Sequence, residues 1–86
     1  MKIRCLIVDD EPLAIRLIEK HISQIDSLEV VATCNSALKA FEILNTKEID
    51  LLFLDIKMPH LTGIDFLKSL KNPPKTIFTT AYRDFA

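Results

Sequence analysis

Glycine is almost missing from this chain: its 86 residues contain one, Gly63, with no tryptophan, one tyrosine and two cysteines. No internal repeat, low-complexity stretch or linker breaks it, so a single domain over residues 1–86 is expected. Cys5 and Cys34 lie far apart in apolar, strand-like runs. Neither has the close Cys or His spacing of a zinc site, and two such cysteines are no disulfide framework. They read as buried free thiols. Charge of one sign is not in excess either: 11 Lys and Arg stand against 12 Asp and Glu, for a net charge of −1. The cations are scattered, which excludes a nucleic-acid-binding module in this segment. After Met1 the chain runs Lys2-Ile3-Arg4 and then only briefly apolar before Asp9-Asp10. That run is too short for a signal-peptide core or a membrane span, so no membrane association and a cytoplasmic address are expected.

What is present is a balanced composition, 49% hydrophobic and 27% charged, typical of one soluble globular unit. A chain of this length buries a modest share of its surface, so its stability should lean on a ligand or a partner.

Ile3 to Val8 is an almost uninterrupted apolar run ending in acids, which suits a strand covered on both faces in a parallel sheet. A helix should follow. Asp10 can cap it, Pro12 suits its first turn, and Ala14, Leu17, Ile18, Ile22 and Ile25 recur at helical spacing to face the sheet. Leu28 to Cys34 is a second β-branched run. Ser36 opens another helix with Ala37, Ala40, Phe41 and Leu44 on one side and Asn45 near its end. Residues 51–54 form a third buried strand delivering Asp55. Residues 63–70 offer Ile64, Phe66, Leu67 and Leu70 to a third helix. Asn72-Pro73-Pro74 breaks the chain before a fourth strand over 75–80. The pattern βαβαβαβ implies right-handed crossovers and a parallel α/β sheet with helices on both faces.

Asp9 and Asp10 end the first strand and Asp55 ends the third, so all three carboxylates leave the carboxyl edge of the sheet. They converge if the strand order is 2-1-3-4, because the chain then reverses direction between strands 1 and 3 and opens a crevice there. Carboxylates so close repel one another and must either hold protons or recruit a cation; magnesium is the hard divalent ion such a set suits. Each acid also has a plainer reading, as a helix cap or as punctuation at a strand end. The combination weighs more than either alone.

Three segments, Val8-Asp9-Asp10-Glu11-Pro12, Leu54-Asp55-Ile56-Lys57-Met58-Pro59 with Gly63, and Thr79-Thr80-Ala81, together resemble response-regulator receiver domains. The tail from Thr80 through Tyr82 to Ala86 further resembles receivers joined to LytTR-type DNA-binding domains. The resemblance covers the whole chain and implies a flavodoxin-like three-layer fold of order 2-1-3-4, lacking the final strand and the last two helices. It implies Asp55 as phosphoacceptor, and Asp9, Asp10, Asp55 and the carbonyl of Lys57 as ligands of Mg2+ or Mn2+. Thr80 would be the switch hydroxyl. A sensor histidine kinase would be the donor, an output domain outside this segment would contact DNA, and the exposed fourth strand would pair two copies into a homodimer. The lysine that this family carries on a fifth strand has no counterpart by position here, which sets phosphorylation of this chain apart as a question of its own.

Two other classes compete. A haloacid-dehalogenase-type phosphohydrolase also uses an aspartyl nucleophile with magnesium, but needs an acid two residues later, where this chain has Lys57. A pure interaction fragment would not need its acids intact.

Overall fold

The computed structural model describes residues 2–58 and 61–79. Seven elements follow in order: β1 (Ile3–Val8), α1 (Pro12–Ser23), β2 (Leu28–Cys34), α2 (Ala37–Thr46), β3 (Leu51–Asp55), α3 (Gly63–Lys68) and β4 (Lys75–Thr79). The four strands are all parallel, in the order β2-β1-β3-β4. Both the alternation and the order agree with the expectation from sequence.

Alternation along the strands sorts the core into two layers. Leu6 and Val8 of β1 and Leu52 and Leu54 of β3 pack with Ala40, Met58 and Phe66 beneath α2 and α3. Cys5 and Ile7 pack with Ile22 on the opposite face, joined by Ile15, Ile18, Leu51 and Phe53 beneath α1. Four successive residues of β1, Cys5 to Val8, are wholly buried, which explains their unbroken apolarity. Both cysteines are free and buried, and burial pushes both thiols up, so they stay protonated packing residues.

At the amino edge of the sheet a clasp joins strands distant in sequence. Asp50 Oδ2 accepts from the Arg4 backbone N–H and from Nε, both at 2.9 Å, while Arg4 Nη1 reaches Glu48 at 2.8 Å. In return the Asp50 N–H donates to the Arg4 carbonyl at 2.8 Å, so β3 enters the sheet in one register against β1.

Several local expectations are corrected. Glu11, not Asp10, occupies the N-cap of α1, with no side-chain cap, and Pro12 opens the helix. Leu17 is 57% exposed and Ile25 47%, because the inward stripe runs through Ala14, Ile15, Ile18 and Ile22 and the helix stops at Ser23. α2 starts after Ser36, whose hydroxyl accepts from the Lys39 N–H, but runs past Asn45 to Thr46, and Phe41 is 43% exposed. α3 ends at Lys68, and Ile64 faces solvent while Phe66 is buried.

Candidate functional site

Register places the acids. Val8 of β1 pairs with Leu54 of β3, so the next residues along each strand, Asp9 and Asp55, are neighbours across the sheet edge. Both continue the odd-numbered row of their strands, Cys5-Ile7-Asp9 and Leu51-Phe53-Asp55, on the α1 side. Asp10 follows where the chain turns into α1 and is exposed. Carboxylate oxygens of Asp9, Asp10 and Asp55 lie within 4.8 Å of one another, and Asp9 and Asp55 are 1% and 4% exposed.

Local hydrogen bonds fix this cluster. Asp9 Oδ1 accepts from the Glu11 N–H at 2.9 Å, so this acid also shapes the turn into α1. Asp55 Oδ1 accepts from the Lys57 N–H at 3.2 Å, the same two-residue turn on the neighbouring strand. Burial pushes the Asp55 carboxyl up to about 6, reinforced by the negative charges of Asp9 and Asp10 and opposed by the Lys57 N–H. Asp9 is raised as well, again by burial first. Two buried carboxylates side by side, with a third at the rim, form a donor set of hard oxygens suited to a divalent ion.

The loop after Asp55 is anchored twice. Met58 is buried in the core beneath α2 and α3, which holds the chain just past Lys57. The Gly63 N–H donates to the Ile56 carbonyl at 2.7 Å, and Thr62 caps α3 by accepting from the Asp65 N–H at 3.1 Å. A Cβ on Gly63 would overlap the Asp55 carbonyl oxygen and come within 3.1 Å of its carbon. Close approach of backbone to backbone, rather than a left-handed conformation, is therefore what requires glycine here. Gly63→Ala is expected to lower the melting temperature, by about 1–3 kcal/mol of stability, and to weaken divalent-cation binding by moving the Asp55 backbone. Thermal melts with and without Mg2+ check both, and an unchanged melt would mean that the loop yields freely.

Of the residues singled out from sequence, Asp9, Asp10, Asp55 and Lys57 come together at this edge. Thr80 lies outside the described residues, as do Pro59, His60 and the tail over 81–86. His21 is exposed on α1, and Lys75, at the opposite end of β4 from the acids, is exposed too. Sequence reasoning passed over Thr79, which pairs directly with Asp55. The signal was there in the Thr-Thr pair ending a strand whose neighbour ends in aspartate.

An open parallel α/β sheet with buried acids at its topological switch point defines the class of doubly wound domains, whose ligand crevice lies at the carboxyl ends of the strands. Within that class the chain belongs to the response regulator receiver domain family, which residues 5–86 match, and it is a receiver of two-component signalling. It is 36% identical to an uncharacterized response regulatory protein of Shewanella oneidensis, over 98% of this chain and 36% of that protein. It is 34% identical to the transcriptional regulatory protein BtsR of Escherichia coli K12, again over 98% of this chain and 36% of the relative. The chain thus spans about a third of the length of the curated relatives it matches. Among solved structures, the MaeR response regulator bound to beryllium trifluoride superposes with a TM-score of 0.85 at 27% identity, covering 95% of this chain and 70% of that one. The family match settles the choice against a hydrolase of the dehalogenase type: the chain is a signalling receiver.

Proposed function

We propose that residues 1–86 form one receiver domain that accepts a phosphoryl group on Asp55 from the phosphohistidine of a sensor kinase. The observation that carries this reading is the buried pair Asp9 and Asp55 with Asp10 at its rim, all within 4.8 Å. Asp9, Asp10, Asp55 and the Lys57 carbonyl would hold Mg2+ or Mn2+. When bound, such an ion neutralises charge on the transferring oxygens. At neutral pH Asp55, with its carboxyl titrating near 6, is largely ionised. One of its oxygens attacks phosphorus, the phosphorus–nitrogen bond to histidine breaks, and the electron pair leaves with the imidazole. Asp9 stays fixed by the Glu11 N–H, and Asp55 Oδ1 by the Lys57 N–H. Thr80 would supply the hydroxyl that follows the phosphoryl group and alters the adjoining surface.

The wider setting is proposed on the same basis. DNA would be contacted only through an output domain of a longer protein, as the regulatory relatives suggest, and the site of action would be the cytoplasm. No helix among the described residues is long and apolar enough to cross a membrane.

Magnesium titration tests the metal set. The starting chain is expected to bind Mg2+, and Asp10→Asn to bind it at least tenfold more weakly, since removing one charged oxygen weakens a magnesium site. Equal affinity would count against the assignment.

A second copy of the chain is the proposed occupant of the β4 edge. Among the described residues β4 pairs only with β3, and it exposes Ile77 (47%) and Phe78 (40%) beside unpaired backbone groups. Pairing of two fourth strands across a two-fold axis would cover both. Light scattering should give a dimer mass that Ile77→Lys shifts to monomer, and a starting chain that stays monomeric at high concentration would refute the dimer.

A further inference from the structure

The register that joins Asp9 to Asp55 continues one strand further. Asp55 pairs with Thr79 of β4, and the Ile56 N–H donates to the Thr79 carbonyl at 3.1 Å, which locks this pairing beyond the last residue of β3. Residues in register on parallel strands point to the same face and stand about 4.8 Å apart. Asp9, Asp55 and Thr79 therefore form a row across the carboxyl edge of β1, β3 and β4, with the acceptor in the middle. One flank is a carboxylate. The other is a hydroxyl, and Thr79 Oγ1 is buried with no hydrogen-bond partner among the described residues.

A buried hydroxyl without a partner is costly, and valine would fill the same volume on a β-strand without that cost. Natural proteins keep few such groups, and each calls for an explanation such as a catalytic role or a bound ion. Resting on the assignment of Asp55 as acceptor, we propose that Thr79 is a second hydroxyl of the acceptor site, whose Oγ1 donates a hydrogen bond to an oxygen of the phosphoryl group carried by Asp55. A phosphoryl group brings anionic oxygens to a row in which Thr79 supplies a hydroxyl that can donate. Asp9, on the other flank, can only accept when ionised. A threonine hydroxyl rotates freely about its Cβ–Oγ1 bond, so it can turn to a new acceptor without any movement of β4. Thr79 would hold the group in place on the β4 side, which is a positioning role distinct from the one proposed for Thr80 on the following residue.

The test uses a longer version of this protein, since the chain spans about a third of its relatives, with Mg2+ and beryllium fluoride, whose trifluoride stands in for a phosphoryl group on a carboxylate. Fluorine NMR or thermal shift reads the loading. Thr79→Val should raise the melting temperature of the unloaded protein, because the orphaned hydroxyl is gone. It should also weaken loading about tenfold, the scale of one hydrogen bond to a charged group. Thr79→Ser should restore loading. A Thr79→Val chain that loads as well as its parent overturns the proposal, as does a loss that Thr79→Ser fails to rescue. Asp55→Asn separates the two levels of inference. If it loads like the parent, or if the parent itself does not load, the acceptor assignment fails and Thr79 falls with it. If Asp55→Asn abolishes loading while Thr79→Val does not change it, only the role of Thr79 is lost.

Discussion

Exposure of a longer version of this protein to a phosphodonor with Mg2+ is expected to add one phosphoryl mass, labile in the manner of an acyl phosphate, and Asp55→Asn is expected to remove it entirely. The effect is all-or-none because the amide has no anionic oxygen to attack phosphorus. Asparagine keeps the shape of the side chain and the acceptor for the Lys57 N–H, so a folded variant isolates the chemistry. Intact-mass analysis followed by peptide mapping checks the outcome. An adduct that survives in Asp55→Asn, or that maps to Asp9 or Asp10, would refute the nucleophile. A longer version is the right material because this chain spans about a third of its relatives.

The site was legible in the sequence to the extent that strand ends were legible. An apolar run of four or more residues closing on aspartate fixes where the carboxylate leaves the sheet, and parallel βαβ connections put those ends on one edge. That reasoning found Asp9, Asp10 and Asp55, whereas the Lys57 carbonyl came only from the resemblance to receiver domains. It did not find the row through Thr79, because cross-strand register between β3 and β4 depends on where each strand enters the sheet, which no local pattern encodes. The Arg4 to Asp50 clasp was hidden for the same reason, since its partners are 46 residues apart.

Helix faces failed differently. Leu13, Ile15, Leu17 and Ile18 crowd the start of α1, and a 3.6-residue period is satisfied by more than one choice among them. Packing chose Ile15, Ile18 and Ile22 and left Leu13 and Leu17 outside. Gly63 shows a third limit. A lone glycine in a loop suggests a special backbone angle, but the structure uses its missing Cβ to bring α3 against the Asp55 carbonyl.

The acid row also sets how stability depends on pH. Without a divalent ion the chain is expected to lose stability as pH rises from about 4 to about 6, the opposite of the usual acid limb. The unfolded chain releases the Asp55 proton near the ordinary value of 3.8, whereas the folded chain holds it until about 6. The folded state thus binds more protons across that window, so stability is fullest below it and falls as pH rises through the folded value. The difference corresponds to roughly 2–3 kcal/mol. Asp9, raised in the same direction, adds to it. Asp50 works the other way: Arg4 holds its carboxyl below 3.8, so its contribution is present above that value and is lost only as pH falls further. Urea titrations in a chelator should therefore place the highest midpoint near pH 4 rather than at neutrality. Mg2+ at pH 7 should raise the midpoint again, in proportion to the logarithm of its concentration over its dissociation constant. Asp55→Asn should flatten the slope between pH 4 and 6 and stabilise the metal-free chain at pH 7, because an amide carries no charge to bury beside Asp9. A midpoint that rises steadily from pH 4 to pH 7 in the chelated starting protein would mean that the row carries no strain, and with it would go the electrostatic argument for a cation at this edge.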